Sequence, residues 1–181
     1  MTTEIDIPAL NTLEYVTYID KNGELPAHFQ GKIGAYAIFD KDKILQFVSY
    51  SRDVYLSCKQ HLVRQPEKCY WLKVHTIERP NRTILEKIEN TWIVENGSLP
   101  LGNGENKEKW TNPINTQALM TDEEKANYQN PLIDESSKSK IIKNVARRIE
   151  SEILAVLESR GLKTQMRFHP KLKEEGLLDL K

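Results

Sequence analysis

The sequence predicts an α/β (α+β) protein: a domain of order β-β-α-β-α followed by an α-helical C-terminal part. Three observations predict it. The runs IGAYAIFD and ILQFVSY, rich in β-formers, flank the charged turn DKDK, the pattern of a hairpin. Downstream, two stretches with helical apolar spacing enclose CYWLKVHTI (residues 69–77), a run apolar enough for a central strand. A longer amphipathic pattern then covers residues 136–160.

Each element has local reasons. LEYVTYID (residues 13–20) alternates loosely and meets a Lys-Asn-Gly turn, which predicts a short strand or an extended arm. Ser51 is placed to N-cap the helix that follows the hairpin, and Asp53 suits the positive end of its dipole. Val54, Cys58 and Leu62 form the apolar stripe of that helix, and Pro66 stops it. The second helix, residues 82–95, buries Ile84, Leu85, Ile88 and Trp92 and ends at Asn96-Gly97.

Residues 98–120, rich in Gly, Pro and Asn, read as loop. Thr121 and Glu124 have the spacing of a capping box. The long helix carries Ile142, Val145, Ile149, Ile153 and Val156 on one side and Lys140, Lys143 and Arg147 on the other. The expected organisation is an acidic N-terminal arm (residues 1–30), a first domain (31–113) and a helical extension (114–181).

Composition narrows the class. Of 181 residues, 29% are charged and 39% hydrophobic, which fits a soluble globular chain, not a disordered or membrane one. No apolar run is long enough to cross a bilayer, and the first ten residues lack a basic, apolar leader, so a cytoplasmic location is expected. Cys58 and Cys69 are expected as reduced thiols, and no Cys-x-x-Cys or His-x-x-x-His suggests zinc. Net charge is zero, so no global field draws in nucleic acid, yet residues 138–149 carry five basic groups and no acid.

The segment 31–103 resembles a GIY-YIG nuclease domain. Gly34-Ala35-Tyr36 stands where that family has GIY, and Phe47-Val48-Ser49, beginning eleven residues after Tyr36, stands for YIG. His61, twelve residues beyond Ser49, matches the helical histidine. Glu89, three residues before Trp92, matches the metal-binding glutamate, and Asn103 matches the closing asparagine of the family loop. The resemblance implies a three-stranded sheet with helices. It also implies phosphodiester cleavage in which Tyr36 and His61 handle the water and its proton, Glu89 holds Mg²⁺ or Mn²⁺, and Asn103 contacts phosphate.

Two family positions depart from the pattern. Ser57 stands where the phosphate-clamping arginine belongs, and Phe47 lacks the hydroxyl of the second tyrosine. Arg52 and Arg64 are the nearby cations that would substitute, and Lys140, Lys143 and Arg147 would reach phosphates from the helical extension. The expectation is a nuclease-superfamily protein directed at DNA or RNA, with metal-dependent cleavage weakened or lost. Two other readings stay open: a non-catalytic nucleic-acid or protein-binding module, and a structural oligomer joined through the acidic arm and basic helix. Each site residue has an ordinary alternative, such as strand packing for Tyr36, a structural histidine for His61, a salt bridge for Glu89 and a turn role for Asn103.

Overall fold

The computed structural model describes residues 6–181, so residues 1–5 of the expected arm lie outside the described residues. The chain divides into two compact units, Met1–Thr111 with Gly161–Thr164 and Asn112–Arg160 with Gln165–Lys181. The first contains β1 (Val16–Thr17), β2 (Ile33–Phe39), β3 (Leu45–Ser51), α1 (Val54–Arg64), β4 (Trp71–Ile77), α2 (Arg82–Asn96) and α3 (Lys107–Thr111).

The sheet has four strands in the order β1-β4-β2-β3, every pair antiparallel. The expected count of three is thus corrected. The added strand, two residues long, falls within residues 13–20, where a short strand was one of the two expectations; its pairing with β4 is what the sequence left undecided. It comes from the predicted arm, whose described residues belong to the first unit and bury Leu10, Tyr18 and Leu25. The Tyr18 hydroxyl donates to the Cys58 carbonyl of α1 at 2.5 Å.

Helices cover both faces, which is why β2 is apolar almost throughout instead of alternating. Ala35, Ala37, Phe39 and Val48 pack with Ile88 and Trp92 of α2. Tyr36 and Phe47 project to the other face and meet His61 of α1. The helix signals hold with one change: Asp53, not Ser51, caps α1, its carboxylate accepting from the Leu56 amide at 3.2 Å. Ser51 still belongs to β3, and its hydroxyl accepts from the Asp53 amide. Asn81 caps α2, and Gly97 closes it in the left-handed conformation at φ 84°.

The second unit contains β5 (Ile114–Asn115), α4 (Asp122–Tyr128), α5 (Glu135–Ser159), α6 (Pro170–Glu174) and β6 (Leu177–Leu178). Thr121 and Glu124 form the expected capping box, and Asp134 caps α5. Residues 98–120, expected as loop, also hold a 3-10 turn at Leu101–Asn103 and the α3 helix, because the indole of Trp110 is buried and pins that segment down. Among the described residues no helix is long and apolar enough to cross a membrane.

Candidate ligand cleft and the buried tyrosine–histidine pair

The β2–β3 register sets the first group of residues. Tyr36 lies opposite Ser49 on one side and Val74 on the other, at the centre of the sheet. Its hydroxyl lies 2.8 Å from Nε2 of His61, and Nδ1 of His61 lies 2.9 Å from the carbonyl of Trp110. A carbonyl only accepts, so Nδ1 carries the proton and Nε2 accepts from the Tyr36 hydroxyl. Burial drives the imidazole pKa down to about 3, with the Arg64 charge adding and the Trp110 carbonyl opposing, so His61 is neutral. Burial likewise pushes the Tyr36 phenol well above its ordinary range.

Phe47 completes this cluster. Its ring stacks on Trp110 with centroids 5.1 Å apart and meets His61 edge-on at 4.8 Å. The structure therefore gathers Tyr36, Phe47 and His61 around Trp110, a residue the motif reading passed over. The available signal was a tryptophan in an otherwise polar, glycine-rich segment, where only burial rewards so large an apolar ring.

The expected phosphate contacts have other duties or none. Ser57 donates from its hydroxyl to Ser51 Oγ at 2.6 Å. The Arg64 guanidinium donates to the Trp110 carbonyl at 3.0 Å, the same carbonyl that His61 uses. Arg52 is exposed. In the second unit Lys143 lies 3.9 Å from Glu174, while Lys140 and Arg147 form no ion pair among the described residues and are exposed.

A separate cleft of about 650 Å³ opens between β3, α2 and α3 in the first unit, lined by Phe47, Tyr50, Glu89, Ile93, Asn103 and Lys107 among others. Tyr36 and His61 do not line it. Phe47 alone belongs to both groups, so the phenol and imidazole stand in one group and the Glu89 carboxylate in another that adjoins it. Asn103 reaches the cleft wall, but both ends of its amide are bonded to the Val48 backbone.

Glu89 is half-buried and makes no hydrogen bond or ion pair among the described residues. Burial raises its pKa, Lys107 opposes that rise, and Glu86 adds to it. Glu86 itself is engaged, accepting from Arg82 at 2.7 Å and from the Tyr50 hydroxyl at 3.2 Å. No group of three or more His, Cys, Asp or Glu gathers to hold a metal among the described residues.

No family model matches the chain. A search of curated proteins finds a relative 39% identical over 74 residues, covering 39% of this chain and 25% of the other. That relative is the bifunctional monothiol glutaredoxin-S16, chloroplastic, of Arabidopsis thaliana. The nuclease assignment is corrected by this finding. The resemblance over residues 31–103 rested on short motifs matched by order and spacing, whereas the similarity found is to a protein named as a glutaredoxin. The GIY-YIG family and its endonuclease activity are accordingly withdrawn.

This chain spans a quarter of that relative's length. Monothiol chemistry requires an accessible thiolate. Cys58 and Cys69 are both buried free thiols, and burial pushes Cys58 up to about 12. Neither Cys58 nor Cys69 is exposed as a thiol nucleophile needs to be.

Proposed function

We propose that the first unit is a binding module whose cleft takes a phosphate-bearing ligand, with nucleic acid as the partner class, through a divalent cation at Glu89. One observation carries this reading: a half-buried carboxylate without a partner among the described residues, beside the lysine Lys107, in an open cleft. A carboxylate withdrawn from water is costly unless a cation completes it. Mg²⁺ is commonly held by one or two carboxylates, waters and the phosphates of its ligand, so one acid suits a cation that arrives with the phosphate. Lys107 would supply a second positive charge to the same group. Both ring nitrogens of His61 are engaged inside the protein, so the reading is one of binding and includes no bond-breaking step.

The test is fluorescence anisotropy with labelled single-stranded DNA, duplex DNA and RNA, in Mg²⁺, Mn²⁺ or EDTA. Binding is expected to require the divalent ion and to weaken as salt rises. Glu89→Gln is expected to weaken it by roughly tenfold or more, and Lys107→Gln by a smaller factor. Binding that ignores both EDTA and Glu89→Gln would overturn the reading.

A further inference from the structure

At the hairpin end of the first sheet, three aromatic rings form a corner that shares no residue with the cleft. Tyr15 meets Phe39 edge-on with centroids 5.1 Å apart and meets Trp71 at 6.0 Å with an interplanar angle of 69°. Phe39 is buried and forms the floor, whereas Tyr15 is 38% exposed. Lys43 lays its ammonium into this corner, 4.7 Å from the Tyr15 centroid and 5.0 Å from that of Trp71. The ammonium has no hydrogen bond and no carboxylate partner among the described residues, so the rings are its only specific contacts.

The backbone that presents Lys43 is unusual. Its φ is 61°, the only positive value at a non-glycine residue among the described residues. It closes the β2–β3 turn, its amide donating to the Asp40 carbonyl at 3.0 Å, at a position where Gly or Asn is normally found. A lysine here accepts backbone strain and the ordering of a long exposed chain. The faces of Tyr15 and Trp71 are what the chain meets in return.

We propose that the Tyr15–Trp71 corner is a recognition site for an alkylated ammonium group, which Lys43 occupies in the free protein and vacates when the ligand arrives. Aromatic faces attract such cations, and a quaternary ammonium needs no hydrogen-bond acceptor, just as the Lys43 ammonium makes no hydrogen bond among the described residues. It is also less strongly hydrated than a lysine ammonium, so less solvation is lost on entry. Lys73 enforces one occupant at a time. Its buried ammonium, bonded to the Leu10 carbonyl at 3.0 Å, already lies 4.2 Å from the Tyr15 centroid. Ligand and Lys43 together would crowd a third positive charge into the corner.

The experiment follows the indole NMR signals of the full chain during titration with tetramethylammonium, choline, a short peptide bearing trimethyllysine, and the same peptide unmodified. Lys43→Gly is expected to tighten tetramethylammonium binding roughly 5- to 30-fold while preserving the fold, since glycine suits this φ. Tyr15→Leu, which keeps bulk but removes the π face, is expected to abolish the response, and Tyr15→Phe to retain it. Tighter binding of the trimethyllysine peptide than of choline would identify a polypeptide source, and equal binding a free amine. No response in Lys43→Gly, or a response that survives Tyr15→Leu, would overturn the proposal. Equal affinity for the unmodified peptide would also count against it.

Discussion

The side-chain amide of Asn103 brackets the backbone of Val48: Oδ1 accepts from the Val48 amide at 2.9 Å, and Nδ2 donates to the Val48 carbonyl at 2.7 Å. Strand β3 lies at the edge of the sheet, and Asn103 pairs with it as a neighbouring strand would. Gly102 makes this approach feasible, because a Cβ there would fall 2.5 Å from the Gln46 carbonyl oxygen.

Asn103→Ala should therefore lower stability by about 1–3 kcal/mol, from two lost hydrogen bonds and an unpaired edge amide. Asn103→Asp should do comparable harm, since it keeps the acceptor but turns a second oxygen toward the Val48 carbonyl. Urea unfolding midpoints at constant slope check both. Unchanged midpoints would return Asn103 to the role of a free cleft residue.

His61 predicts how the fold responds to acid. Its pKa falls from about 6.5 to about 3 on folding, so the unfolded chain binds the extra proton between those values. Its contribution is fully present above about pH 6.5 and is lost as pH falls toward 3, at up to about 1.4 kcal/mol per pH unit. His61→Gln should flatten that part of the Tm-versus-pH curve while lowering its plateau. A wild-type curve without slope between pH 6 and 4 would contradict the buried, neutral imidazole.

Glu89 has the opposite linkage. Folding raises its pKa, so its carboxylate is bound more tightly to a proton in the folded state, and stability falls slightly as pH rises through that shifted value. Glu89→Gln should consequently be neutral to mildly stabilising at pH 7, by about 0.5 kcal/mol given its partial exposure. Paramagnetic broadening by Mn²⁺ around α2 should occur at pH 7, fade as acid protonates the carboxylate, and vanish in the variant. Destabilisation by Glu89→Gln would show that the carboxylate supports the fold instead of waiting for a cation.

The thiols give a direct reading. Cys58 and Cys69 are 2% and 0% exposed, so a disulfide reagent should find no fast-reacting group in the native protein and two in denaturant. One rapid native equivalent would reopen thiol chemistry for this chain.

Much of the local structure was legible in the sequence because its causes are local. The hairpin around DKDK, the helices with stripes at Val54–Leu62 and Ile84–Trp92, the Thr121–Glu124 box and the Gly97 stop each arise from neighbours within a few residues. The α1 cap moved from Ser51 to Asp53 because two capping residues lay within three positions, and strand pairing claimed the first. The short motifs behind the nuclease resemblance, by contrast, matched spacing without fixing what each side chain faces.

By itself, then, the sequence determined the mixed α/β class and nearly every long element, since periodicity, capping and turn chemistry act over one or two turns of chain. Tertiary structure alone decided that the short strand at Val16–Thr17 joins β4 as the fourth of the sheet, the enclosure of Tyr36 and His61 behind Phe47 and Trp110, and the separation of that pair from Glu89. Those outcomes depend on which distant surfaces exclude water from one another. Trp110 lies 49 residues from the imidazole it buries, and no local pattern encodes such a meeting.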